Sequence, residues 1–250
     1  MSAKWKVWDA DKCYGELLYK RATGELPEME SSKKIAKEVM ALMKGGERIL
    51  DVGCGAGHYL RSLRREIGDG FEYVGADATK QYIEFAEQAF VGDEKATFTV
   101  SDIFNLDFAD NSFDIVICNN LLLHLPSIEK PMSELIRVAK HKLVIRTLCG
   151  DRSFRIMDVK PQPEGQEFFS DGNPVDFYYY NIYSRAHIDY LLKNNFKVKS
   201  WEIEEDRDFD KNRIEESTKE HSNDNASRII GDYQVNGYIL QPWVIVRVDI

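Results

Sequence analysis

Short apolar, β-branched runs alternate along the chain with stretches whose apolar residues recur every three or four positions, the pattern of buried strands joined by amphipathic helices. Ser31 and Ser32 are placed to N-cap a helix bearing Ile35, Val39, Leu42 and Met43, which Gly45 and Gly46 end. Arg48, Ile49, Leu50 and Val52 then read as a strand, followed by glycines at alternate positions, Gly53, Gly55 and Gly57. The next helix carries Leu60, Leu63 and Ile67 on one face and stops at Gly68. Further strands are predicted over 71–76, 96–100, 113–118, 142–148, 196–203 and 238–248. Helices are predicted from Thr79 (Ile83, Ala86 and Phe90 inward), over 128–139, and from Ser184 (Ile188, Leu191 and Leu192 inward). The nearly continuous apolar run at 113–118 suits a strand covered by helices on both faces. Helical crossovers throughout imply a doubly wound α/β fold with a mostly parallel sheet.

Segments outside this alternation suggest an organisation. Residues 1–30 mix charges with Trp5, Trp8, Tyr14 and Tyr19, are broken by Gly24 and Pro27, and are read as a cap or lid. Residues 31–149 form the first, cofactor-binding half of one domain, and 184–250 its C-terminal part. Between them, 150–183 is an insertion on the substrate side, rich in Pro, Gly and aromatics, among them Phe168, Phe169, Phe177 and Tyr178-Tyr179-Tyr180. The polar, charged stretch 204–227 reads as a solvated helix or partly disordered loop.

Composition narrows the function. The chain has 250 residues, 43% hydrophobic and 30% charged, as expected of a globular protein with a substantial core. A formal net charge of −9 opposes the basic surface of a nucleic-acid binder. No run is apolar enough to span a bilayer and the start lacks a signal-peptide core, so a cytoplasmic location without membrane partners is expected. Cys13, Cys54, Cys118 and Cys149 never form a Cys-x-x-Cys pair, and His141, His187 and His221 lack metal-ligand spacing, so neither disulfides nor a metal is expected.

In such sheets ligands lie at the carboxyl ends of the strands, where Asp51, Asp77 and Asp102 mark successive strand regions. Each alone is equally a turn former or helix N-cap. Asp77, however, lies 20 residues beyond Gly57, the spacing at which a carboxylate accepts from ribose hydroxyls. A dinucleotide site calls for Gly-x-Gly-x-x-Gly, whereas this run is Gly-x-Gly-x-Gly with Asp51 two positions ahead. That arrangement suits a nucleoside ligand with positive charge, such as S-adenosyl-L-methionine, better than a pyrophosphate.

With Leu50-Asp51-Val52-Gly53-Cys54-Gly55-Ala56-Gly57, the sequence resembles the class I S-adenosylmethionine-dependent methyltransferases over most of residues 31–250. The resemblance implies a seven-stranded sheet whose last strand is antiparallel between the fifth and sixth, with S-adenosyl-L-homocysteine as product. It implies that the Gly53–Cys54–Gly55 backbone contacts the methionine portion, that Gly57 completes the turn, and that Asp51 acts near the ammonium. Asp77, in Val74-Gly75-Ala76-Asp77, would hold the ribose and Ala78 would line one adenine face. Asp102, in Ser101-Asp102-Ile103, would meet the adenine amino group beside the Ile103 amide, and Asn119 would reach the methionine and the methyl group. His58 is a further cofactor candidate.

Tyr14 and Tyr19 are further cofactor-binding candidates, since aromatic faces favour the sulfonium. With Phe168, Phe169, Tyr178, Tyr179, Tyr180 and Tyr183 on the substrate side they are candidates for an aromatic-walled pocket, or equally for core packing or a dimer contact. His124 is the candidate general base; its alternative is a helix-start histidine satisfied by backbone. Asn119-Asn120-Leu121-Leu122 replaces the Asn/Asp-Pro-Pro-Tyr/Phe of nucleobase and glutamine N-methylating relatives. The expectation is therefore methyl transfer to a small-molecule oxygen, nitrogen or carbon, closest to the group that includes ubiquinone-type C-methylases, by a monomer or homodimer. The alternatives are a noncatalytic S-adenosylmethionine-binding scaffold, a protein side-chain methyltransferase, and a nicotinamide (NAD) oxidoreductase.

Overall fold

The computed structural model describes residues 12–160, 165–206, 228–230, 233–235 and 243–250. Trp5, Trp8, Pro161, Pro163, His221, most of the charged 204–227 stretch and residues 238–242 of the last predicted strand lie outside them.

The sheet is built from β1 (Arg48–Val52), β2 (Glu72–Asp77), β3 (Ala96–Val100), β4 (Phe113–Asn119) and β5 (Ala139–Gly150), with β9 (Ser200–Glu205) and β12 (Trp243–Asp249) completing it. The order is β3-β2-β1-β4-β5-β12-β9, so β1 has its sequence neighbour β2 on one side and β4 on the other. β1 to β5 are parallel, and β12 runs antiparallel between β5 and β9, the arrangement implied for the last strand. Strand β8 (Tyr183–Ser184) adds to the far end of β5. Two antiparallel ribbons stand apart from the sheet: β6 (Met157–Val159) with β7 (Phe177–Tyr179), and β10 (Arg228–Ile230) with β11 (Tyr233–Val235).

Successive strand residues face opposite ways, so each central strand feeds two cores. Ile49, Ile115, Ile117 and Tyr73 pack beneath Ile35, Val39, Leu60 and Leu63, which belong to α2 (Glu30–Leu42) and α3 (His58–Ile67). Leu50, Val116 and Leu143 face the other way, against Leu135 of α5 (Glu129–Val138) and Leu191 and Leu192 of α6 (Arg185–Asn194). Ser184 caps α6 as its sequence position suggests, its Oγ accepting from the His187 amide at 3.1 Å.

Three local expectations are corrected. Helix α2 begins at Glu30 with Met29 at its N-cap and no side-chain cap. Ser31 and Ser32 are instead buried in its first turn: Ser32 Oγ donates to the Met29 carbonyl at 2.9 Å, and Tyr59 Oη to Ser31 Oγ at 3.1 Å. Secondly, the 1–30 segment contains a regular helix, α1 (Lys12–Thr23), which the hydrophobic pattern does not announce because its buried hydrophobic side chains among the described residues are Leu18 and Ala22 alone. It packs on α3 and on α4 (Lys80–Ala89), and Arg61 Nη1 of α3 ties it down by donating to the carbonyls of Arg21 at 2.8 Å and Leu26 at 2.9 Å. Thirdly, the strand predicted over 196–203 lies at Ser200–Glu205, because its register is set by pairing with β12.

No helix among the described residues is long and apolar enough to cross a membrane. In β2, next to the edge strand β3, a Cβ placed on Gly75 would lie 2.6 Å from Phe98 Cδ1 and 2.9 Å from Cys54 Sγ. Gly75→Ala is therefore expected to destabilise the fold by about 1–3 kcal/mol through overpacking, read as a lowered midpoint in urea unfolding.

Candidate functional site

The turn after β1 follows from its glycines. Gly53 and Gly55 have φ of 80° and 54°, left-handed values costly for residues with a Cβ. Space excludes a side chain as well: a Cβ at Gly53 would lie 2.8 Å from Leu121 Cδ2, and one at Gly55 2.7 Å from Leu18 Cδ1. The Gly53 and Cys54 amides donate to the Ala76 carbonyl at 2.7 and 3.2 Å. The Gly55 amide donates to Asp77 Oδ2 at 3.0 Å, and Asp77 Oδ1 accepts from the Thr79 amide at 2.9 Å. The glycine turn and the end of β2 are thus stitched together where the strand order reverses, the position at which doubly wound sheets bind ligands.

A cleft of about 1050 Å³, open mouth included, lies over this turn. Of the residues singled out in the sequence, Tyr14, Gly53, Gly55, His58, Asp77, Ala78, Asp102, Ile103, Asn119 and His124 line it. Tyr59, Asn120 and Met29 join them. The others lie elsewhere. Asp51 is buried beneath the turn and accepts from Tyr73 Oη at 2.7 Å. The Cys54 side chain is buried, with Sγ 3.4 Å from the Gly55 carbonyl, and Gly57 packs against Phe90 and Phe98. Tyr19 packs on Phe85 with ring centroids 5.5 Å apart.

The insertion aromatics are not the walls of this cleft. Phe168 and Phe169 are each 48% exposed, and Tyr178 Oη donates to Asp158 Oδ2 at 2.5 Å along the β6–β7 ribbon. Tyr180 lies edge-on to His124 at 5.8 Å, and Tyr183 lies 3.5 Å from the Leu125 carbonyl. The insertion also reaches the cleft through its backbone: the Tyr179 carbonyl meets His124 Nδ1 at 2.9 Å. A carbonyl only accepts, so Nδ1 carries the proton and Nε2 is the basic nitrogen. Burial, partly offset by that hydrogen bond, lowers the His124 pKa to about 4, so the ring is neutral at physiological pH.

Some polar groups in the cleft have no hydrogen-bond partner among the described residues. Asn119, buried at the end of β4, has neither amide atom hydrogen-bonded, and the buried Ser101 Oγ and His58 Nδ1 are in the same state. Such groups cost free energy unless a ligand or water satisfies them. They fit a polar nucleoside ligand better than an apolar one. Burial, chiefly, and the nearby Arg21 cation lower the His58 pKa to about 3, leaving it a neutral hydrogen-bonding group.

One feature of the wall escapes sequence reasoning. Asn120, at a left-handed φ of 56°, accepts from Arg146 Nη1 at 2.8 Å and donates to Tyr59 Oη at 3.3 Å. Arg146 in turn donates from Nε to Asp206 Oδ2 at 2.9 Å and lies over the Trp243 ring at 4.2 Å, with both charged residues buried. The available signal was an arginine inside the otherwise apolar run Leu143-Val-Ile-Arg146.

A doubly wound sheet with an antiparallel strand next to its edge, and a Gly-x-Gly-x-Gly turn tied to an acidic residue at the end of β2, is the class I methyltransferase architecture. Residues 43–165 match the family model described as a methyltransferase domain. An uncharacterized methyltransferase of Schizosaccharomyces pombe is 32% identical over 110 residues, 41% of this chain and 39% of that protein. Demethylmenaquinone methyltransferase of Staphylococcus saprophyticus is 32% identical over 113 residues, 44% of this chain and 48% of that protein. Each of these curated relatives is matched over less than half its length. Among solved structures, phosphoethanolamine N-methyltransferase 2 of Haemonchus contortus, bound to phosphomonomethylethanolamine and S-adenosylhomocysteine, shares the fold with a TM-score of 0.65 at 18% identity, covering 100% of this chain and 61% of that one.

Burial, chiefly, and the Asp77 charge raise the Asp51 pKa from 3.8 to about 7, against a lowering by the Tyr73 hydrogen bond. The folded state then binds more protons than the unfolded state between those values, so this group's contribution to stability falls as pH rises from 3.8 to about 7. Asp51→Asn is expected to flatten that limb, whose slope is at most about 1.4 kcal/mol per pH unit for one group. Urea midpoints measured across the window check it; an unchanged profile would place the proton elsewhere.

Proposed function

We propose that the protein is an S-adenosylmethionine-dependent methyltransferase acting on a small-molecule acceptor without an anionic group. The observation that carries this reading is the buried Asn119 amide, unpartnered at both atoms, facing the glycine turn and Asp77 across one cleft. In this reading the Gly53–Gly55 backbone and Asn119 hold the methionine end, and Asp77 accepts from the ribose hydroxyls. Ala78, Asp102 and Ile103 enclose the base, while Asp51 supplies a proton-accepting site beneath the turn. The bound cofactor supplies an electrophilic methyl on a sulfonium; the protein contributes alignment and exclusion of water.

The described residues lining the cleft include no lysine or arginine, while Asp77 and Asp102 are among them. An acceptor bearing phosphate or carboxylate would find no cation there, which supports an uncharged acceptor. Relatives that act on quinones, such as the demethylmenaquinone methyltransferase, are consistent with that chemistry. His124 Nε2 is the base for an acceptor that loses a proton as it gains the methyl group.

Calorimetry is expected to show binding of S-adenosylhomocysteine and none of NAD; the opposite result would sink the reading. Asp77→Ala should weaken S-adenosylhomocysteine binding by ~1.5–3 kcal/mol, and unchanged affinity would remove Asp77 from the site. Labelled S-adenosylmethionine offered to small-molecule and protein fractions then finds the acceptor, and label confined to protein would overturn the small-molecule part. With that acceptor, His124→Gln should lower turnover by about 10²–10⁴-fold while cofactor affinity holds.

A further inference from the structure

Among the described residues the insertion meets the cleft around the 3-10 turn Leu122–His124 that follows β4 and the Leu125-Pro126 segment after it. Asn181, 2% exposed, joins the two. Its backbone amide donates to the Leu123 carbonyl at 2.8 Å and its Nδ2 to the Leu125 carbonyl at 2.8 Å, so it holds the residues on either side of His124. Its Oδ1 accepts from the Ile156 amide at 3.1 Å, anchoring the bridge to the other side of the insertion. There Phe154 and Ile182 exchange backbone hydrogen bonds of 2.8 and 2.9 Å, and Met157 pairs with Tyr179 in the β6–β7 ribbon. Arg155 covers the Tyr179 ring at 5.3 Å and donates from Nη2 to the Pro126 carbonyl at 2.9 Å. The Tyr179 carbonyl is thereby aimed at His124 Nδ1.

We propose that Asn181 is a positioning residue, and that the insertion serves to lock His124 as its Nδ1–H tautomer with Nε2 as the basic nitrogen. This rests on His124 being the base of the proposed reaction. Asn181 touches no reacting group; it acts through the turn that carries the histidine. A histidine on a short turn has rotamer and tautomer freedom, and a second hydrogen bond to the non-reacting nitrogen removes both. Only a side chain with a donor and an acceptor at one end satisfies the Leu125 carbonyl and the Ile156 amide together, which accounts for an asparagine in a buried position.

The test is long-range ¹H–¹⁵N correlation of the full chain labelled at histidine, with His124→Gln assigning the resonance. The wild type is expected to show a protonated-type Nδ1 and an unprotonated-type Nε2; the reverse pattern overturns the proposal outright. In Asn181→Ala the two nitrogen shifts should converge as the tautomers exchange, with cooperative thermal unfolding retained. A folded variant keeping the wild-type pattern overturns it too. If Asn181→Ala does not fold, Arg155→Ala, at an exposed residue, loosens Tyr179 from outside and should produce a smaller convergence; an unchanged spectrum there overturns the proposal. Turnover of the acceptor should fall in the same order as the loss of the Nδ1–H pattern, with S-adenosylhomocysteine affinity unchanged. Absence of that affinity in the wild type would defeat the methyltransferase reading alone, because the tautomer is read without it.

Discussion

The contact on which the cleft depends is the hydrogen bond from the Gly55 amide to the Asp77 carboxylate, with the Gly53 and Cys54 amides sharing the Ala76 carbonyl beside it. These bonds join the end of β1 to the end of β2 and hold the left-handed turn open toward the cleft. They also bring negative charge close together: burial is the main cause of the raised Asp51 pKa, and the Asp77 charge adds to it. Among the described residues no group of His, Cys, Asp or Glu is arranged to hold a metal ion.

The opposite wall is organised by a different force. Arg146 and Asp206 form a buried ion pair, which earns little net stability because both groups are desolvated. What the pair does is geometric. Arg146 fixes the Asn120 side chain, Asn120 reaches Tyr59, and Tyr59 reaches Ser31 of α2, so the wall joins β5, β9, α3 and α2. Removing one partner alone would leave an uncompensated buried charge, a cost of about 3–5 kcal/mol. The His124 turn beside it is held by the insertion through main-chain carbonyls and Asn181.

Much of the sheet was legible because alternating burial on two faces constrains sequence strongly. Ile49, Leu50, Ile115, Val116 and Ile117 have no polar alternative in a strand covered by helices on both sides. The turn after β1 was legible for a related reason: Gly53 and Gly55 are fixed by their left-handed backbone, and Asp77 closes the turn by accepting from the Gly55 amide. Helix α1 was not, because an element whose buried hydrophobic side chains, among the described residues, are Leu18 and Ala22 alone leaves little hydrophobic periodicity to find. Aromatic content misled for Phe168 and Phe169, since a ring in a loop suits a pocket wall and an exposed ribbon equally well.

By itself the sequence determined the doubly wound fold and the glycine turn after β1, because short-range patterning and the absence of a Cβ are written residue by residue; the antiparallel last strand followed only from the resemblance to the methyltransferase family. Only the tertiary structure decided which side chains share the cleft. Tyr14 enters it while Tyr19 packs on Phe85, and Asp51 lies beneath it. Arg146 finds Asp206 sixty residues away, and Asn181 finds Leu125 across fifty-six. Those contacts are made by crossing distant segments at the end of the sheet, and no local pattern records which carbonyl a buried asparagine will meet.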